Sequence, residues 1–232
     1  MCTNYTPATP RQLMALGEWA GGVVPDAPWP EETYPGYLAP IVVRNAPVVG
    51  SPDARGEIRL ARFGLIPRWC RDAAHATTVG RGTYNARTET VTEKASYRQP
   101  FAERRWALVP MQNYFEPCWE TGRSVRWRIE EADGVLLWAA GLHEQWRDPG
   151  TREAVHSFTL LTRNADGHPL LGRMHRPGDE KRQVCTVPQA LAGEWLAAPA
   201  HDALSWLLRC ELPVLRGAPA PVRKDPQAAL PF

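Results

Sequence analysis

A cysteine stands second in the chain, in the opening Met1-Cys2-Thr3-Asn4-Tyr5. Removal of Met1 would leave an α-amine and a thiol on adjacent carbons. Their ordinary pKa values, about 7.7–8.0 and about 8.5, make both nucleophiles partly available near neutral pH. An aldehyde meeting this pair can condense with the amine to an imine, and the thiol can then close a five-membered thiazolidine ring. An amide or ester carbonyl can instead be attacked by the thiolate alone. Either chemistry needs groups that move protons and hold the carbonyl oxygen.

Three polar clusters offer such groups. Tyr84-Asn85-Ala86-Arg87-Thr88-Glu89-Thr90 supplies an amide and a cation, and Pro110-Met111-Gln112-Asn113-Tyr114-Phe115-Glu116 supplies a carboxylate. The long polar run from His168 to Arg182 supplies His175 and several cations. Each has a plain structural reading. Asn85 can cap a turn, Glu116 can be a solvated strand-end carboxylate, and His175 can be a surface histidine in a basic loop. Trp69 can be ordinary core or a plane on which a base stacks. Residues 61–110 hold eight Arg and one Lys against four Asp and Glu, a local cationic excess hidden in the whole-chain charge of +2. Such an excess suits a groove for a single nucleic-acid strand.

The elements that must position these groups follow from pattern. Thr9-Pro10 reads as an N-cap with proline at the first helical position, opening a helix to about Trp19. Residues 41–44, 58–63, 106–109, 125–130, 135–142, 156–162 and 183–187 read as strands. A short helix over 97–105 and C-terminal helices over 189–197 and 202–208 are predicted, and 64–96 reads as irregular. The 23 prolines, about twice the usual share, favour turns over long helices. The expected fold is α+β, with mainly antiparallel sheets folded toward a barrel and peripheral helices. One domain is expected over 2–210, with a Pro-rich tail over 211–232 lying on the surface or loose.

Composition bounds the rest. At 44% hydrophobic and 22% charged, the chain has a globular balance, and no run of apolar residues approaches membrane-spanning length. Five cysteines, Cys2, Cys70, Cys118, Cys185 and Cys210, show no metal-ligand spacing, so no metal or cofactor is expected. The last four read as reduced thiols of a cytoplasmic protein, and no leader segment is visible.

The order of motifs carries a resemblance. Met1-Cys2 is followed by Phe63-Gly64-Leu65-Ile66-Pro67-Arg68-Trp69, then Asn85-Ala86-Arg87-Thr88-Glu89-Thr90. Arg105 to Pro110 then lead into Tyr114-Phe115-Glu116, and Phe158 to Thr162 lead into the His175 loop. From Cys2 to about Pro188 the chain resembles the SOS response-associated peptidase (SRAP) family, the abasic-site processing proteins. The resemblance implies loss of Met1, single-stranded DNA in a basic groove, and a thiazolidine crosslink from Cys2 to the ring-opened aldehyde of an abasic site. It assigns Asn85 to orienting the N-terminus and the opened sugar, and Glu116 to acid/base work. His175 becomes a proton shuttle, and Arg87 and Arg182 hold phosphates, with Arg68 and Trp69 also on the DNA side. A minor lyase activity, release of Met1 by self-cleavage or by a methionine aminopeptidase, a monomer, and association with the nucleoid when crosslinked are further implications. The chain departs from the family in two places. Thr3-Asn4 stands where many members have Gly-Arg, and the segment after His175 is longer, with His168 close by. Two rivals remain: an N-terminal-nucleophile amidohydrolase, and a non-catalytic single-stranded DNA binder.

Overall fold

Strands dominate because short apolar runs rich in β-branched and aromatic residues recur between turn-forming residues, and most barrel strands are buried on both faces. The computed structural model describes residues 2–16, 23–44 and 56–221. In chain order the elements are β1 (Tyr5–Pro7), α1 (Pro10–Met14), β2 (Leu38–Arg44), β3 (Gly56–Phe63) and α2 (Ala73–Gly80). Next come β4 (Asn85–Arg87), α3 (Arg98–Ala102), β5 (Trp106–Cys118), β6 (Val125–Glu131), β7 (Leu137–Arg147) and β8 (Ala154–Asn164). The chain continues through β9 (Arg182–Val184), α4 (Ala192–Ala197), α5 (Ala200–Arg209) and β10 (Leu215–Pro219).

Five strands close on themselves. β5 pairs with β2, β2 with β3, β3 with β8, β8 with β7, and β7 with β5 again. Only β3–β8 is parallel within this ring. The expected α+β barrel is therefore the fold found. β1, β6 and β10 extend it from β5, and β4 and β9 extend it from β8. Closure removes the exposed edges of the central sheet.

The two faces of each barrel strand feed two cores. On β5, Trp106 and Leu108 enter a cluster with Leu13, Phe101, Trp195 and Leu207 from α1, α3, α4 and α5. That cluster lies between barrel and helices. Ala107, Val109, Met111 and Tyr114 face the other way, with Ile41, Val43, Phe63, Phe158 and Leu160, and this second cluster contains Cys2. Each fully buried large side chain contributes about 1.5–3 kcal/mol.

Several sequence expectations change. α1 ends at Met14, and Trp19 lies outside the described residues. The span 64–96 contains α2, capped by Asp72 Oδ1 accepting from the His75 N–H at 2.7 Å, and β4. The signal for β4 is non-local: its three residues gain strand geometry only by lying parallel to Leu160–Thr162 of β8. Glu116 lies inside β5 rather than past its end. The Pro-rich tail also contributes a strand, because Leu215 to Pro219 pair with Trp127 to Glu131 along an otherwise open edge.

Candidate active site

Cys2 is fully buried. Its thiol donates to the Asn4 carbonyl at 3.6 Å, and its own carbonyl accepts from Asn85 Nδ2 at 2.8 Å. Asn85 is the first residue of β4, fixed opposite Leu160, and its carbonyl accepts from the Tyr97 hydroxyl at 3.0 Å. With Nδ2 used on Cys2, Asn85 Oδ1 is buried and has no hydrogen-bond partner among the described residues. Such an orphan acceptor costs free energy unless something fills it.

Glu116 comes from β5, on the same strand face as Tyr114 two residues earlier. Both are buried. Burial raises the Glu116 carboxyl to about 7. Burial also pushes the Cys2 thiol well above its ordinary value, and the nearby Glu116 charge pushes it further. The thiol at rest is therefore neutral. Tyr114 also feels both Glu116 and Cys2, after burial the main causes of its raised pKa.

His175 completes the group. Its Nε2 lies 3.6 Å from Glu116 Oε2 and 3.4 Å from the Arg182 carbonyl. Burial lowers the imidazole to about 4. A pair that geometry alone would name a salt bridge is thus, near neutral pH, a neutral imidazole beside a carboxyl group that is half protonated. Nε2 lies between a carbonyl, which can only accept, and the Glu116 carboxyl, so its role as donor or acceptor follows the imidazole tautomer. The backbone at His175 is left-handed, with φ of 63°, and its N–H donates to Pro117 O at 2.6 Å. Thus β4, β5 and the loop before β9 bring together Asn85, Glu116 and His175 around Cys2. With Met1 removed, an amine, an acid, a base and a thiol would share one dry site, a set that can condense a carbonyl with an amine.

The cations sit differently from one another. Arg87 is half exposed and pairs with Glu180 at 2.8 Å. Arg182 has only 2% of its side chain exposed. Its guanidinium donates to both Glu89 oxygens at 2.9 Å, to Glu180 at 2.7 Å and to Thr162 O at 2.8 Å. The expectation that Arg182 meets a phosphate directly is revised by that burial: it ties β9 to β8 and to the turn after β4. Arg68 bridges Glu103 and Glu144, each at 3.2 Å. Trp69 is 48% exposed; its Nε1 donates to Ala95 O at 3.3 Å, and its ring lies 5.5 Å from that of His75. A large, exposed ring is available for stacking. His168 is a cap: its Nδ1 accepts from the Leu170 and Leu171 N–H groups at 3.2 and 3.1 Å.

Sequence reasoning missed Tyr114, whose signal was its two-residue spacing from Glu116 on a strand, and Tyr97, which holds Asn85. It also missed Arg126. That guanidinium lies 3.3 Å above the Phe115 ring, donates to Glu32 at 2.7 Å and binds Asn4 Oδ1. The cation missing at position 4 is thereby present beside it, from β6. Among the described residues no group of His, Cys, Asp and Glu could hold a metal ion, and no helix is long and apolar enough to cross a membrane.

Comparison with known proteins gives consistent matches. The family model described as SOS response associated peptidase (SRAP) matches residues 1–215. "Abasic site processing protein YMR114C" of Saccharomyces cerevisiae is 31% identical over 70% of this chain and 40% of its own length. "Abasic site processing protein YoqW" of Bacillus subtilis is 30% identical over 56% of each. The chain therefore spans about half the length of these curated relatives. A solved Bordetella bronchiseptica protein superposes with a TM-score of 0.82 at 32% identity, covering 95% of this chain and all of its own. A Bacteroides thetaiotaomicron structure shares the fold, with a TM-score of 0.74 at 21% identity.

Proposed function

The chain belongs to the SOS response associated peptidase family, and on that premise we propose that it crosslinks itself to abasic sites in single-stranded DNA through Cys2. The observation that carries this reading is the convergence of Asn85, Glu116 and His175 on Cys2. The abasic-site processing names of its relatives support the substrate class.

The electrostatics argue for an order of steps. A thiol whose pKa is raised by burial and by Glu116 is a poor first nucleophile, because the thiolate is the reactive form. The α-amine freed by loss of Met1 attacks the aldehyde first. Asn85 Oδ1, an acceptor without a partner, receives one amine hydrogen bond. Glu116, its carboxyl raised by burial, delivers a proton to the departing oxygen and takes one from nitrogen, so that water leaves and the imine forms. The thiol then adds across the C=N bond: sulfur joins carbon, its proton goes to nitrogen through Glu116 or His175, and the ring closes. The same imine activates the sugar for β-elimination, which accounts for a minor lyase side reaction. Arg87 and the ring of Trp69 hold the strand outside the site.

Incubation with single-stranded DNA carrying one abasic site, followed by denaturing electrophoresis, tests the reading. A heat-stable shifted band is expected. A band that never forms, with DNA binding fully reversed by salt, means a non-covalent binder instead.

A further inference from the structure

The loop that carries His175 is held by one cation. Lys181 Nζ donates to Met174 O at 2.8 Å, His175 O at 3.2 Å and Arg176 O at 3.1 Å. An ammonium has three donors, and here all three go to successive carbonyls centred on His175. The residue they enclose needs such a clamp. A left-handed φ of 63° on a side chain with a Cβ costs of order 1–3 kcal/mol unless the surroundings impose it. On the other side, the His175 N–H is fixed to Pro117 O, and Met174 bridges to Cys118 at the end of β5. The backbone of His175 is thus pinned from two directions, and its imidazole is left beside Glu116.

We infer that Lys181 is the positioning residue of this site, holding His175 at Glu116 so that the rate of crosslinking, not the affinity for DNA, depends on it. The inference rests on the proposed crosslinking chemistry for its effect on rate, and on the structure alone for its effect on His175. A Lys181 used directly on DNA phosphate would have to give up the three carbonyls, and the loop with them.

The test compares wild type, Lys181→Met, His175→Ala and the double variant. Methionine keeps the apolar stem and removes the ammonium. Single-turnover crosslinking should fall at least tenfold in Lys181→Met, while affinity for an abasic analogue lacking the aldehyde stays within twofold. In the His175→Ala background the Lys181 change should cost less than a further twofold. Rates equal to wild type, an equal loss in both backgrounds, or a loss of affinity matching the loss of rate would each overturn the inference.

A second readout is independent of crosslinking. The imidazole faces Glu116 from β5, the Arg182 carbonyl from β9, and Lys181 and Asp179 from its own loop, and the charge of the chain's N-terminus also acts on it. Burial and the N-terminal charge lower the imidazole most, so loss of the Lys181 charge should raise the His175 titration, followed by NMR, in part only. An unchanged titration contradicts the clamp. If wild type forms no crosslink, the functional reading fails, and the NMR titration still decides the role of Lys181.

Discussion

At the scale of residues, the site runs on displaced protonation. Burial raises Glu116 to about 7 and lowers His175 to about 4, shifts that suit the acid/base and proton-relay roles proposed for them. Cys2→Ala should abolish the heat-stable crosslink and leave reversible DNA binding intact. An imine trapped only by borohydride should persist through the free amine, as electrophoresis with and without the reductant will show. Glu116→Gln should slow crosslinking by about 10²–10⁴-fold and remove the inflection near pH 7 from its rate profile. The same substitution should stabilise the fold at high pH. The folded pKa of Glu116 is raised above its unfolded value of about 4.5. Its contribution is therefore fully present below pH 4.5 and is lost as pH rises through 7. The shift corresponds to roughly 3 kcal/mol between protonation states. Thermal melts of Glu116→Gln and wild type should nearly coincide at pH 4.5 and separate at pH 8, the variant melting higher. A variant that reacts at the wild-type rate would make Glu116 a structural residue.

At the scale of elements, β4 and the His175 loop do the positioning, and these were the least legible parts of the chain. Strands with local alternation, such as Val125–Glu131, could be read directly, because the alternating residue types mark the strand whatever its partner. β4 could not, since its three residues become a strand only against β8, some 75 positions later. Asn85, Glu116 and His175 could still be singled out as candidates, because motif order marks residue types that need no secondary structure to be recognised. Arg182 shows a related limit: a sequence shows a cation but not the carboxylates of Glu89 and Glu180 folded onto it. Gly64, between β3 and α2, tests the element scale. Its φ is +114°, and a Cβ there would collide with the Gly80 carbonyl oxygen. Gly64→Ala should destabilise the fold by about 3 kcal/mol or more, measured as a drop in denaturation midpoint. Little change would mean α2 can move away from β3 freely.

At the scale of the whole molecule, a net charge of +2 hides the cationic excess over residues 61–110. Reversible binding to single-stranded DNA should weaken with salt, with a log–log slope of roughly −2 to −3 for three to four phosphate contacts. Arg87→Ala should flatten that slope by about one contact, since Arg87 is exposed and pairs with Glu180 at the surface. Arg182→Met should instead lower stability, because it leaves Glu89 and Glu180 without their shared partner. A flat salt dependence would argue against an electrostatic groove. The central claim is that both heteroatoms of Cys2 end on one carbon of the sugar, and mass spectrometry of the crosslinked N-terminal peptide tests it most directly. The account predicts a peptide that lacks Met1, carries the DNA remnant less one water, survives heat without reductant, and has a Cys2 sulfur closed to alkylation. A stable adduct on a peptide that retains Met1, or one whose Cys2 thiol still alkylates, would contradict it.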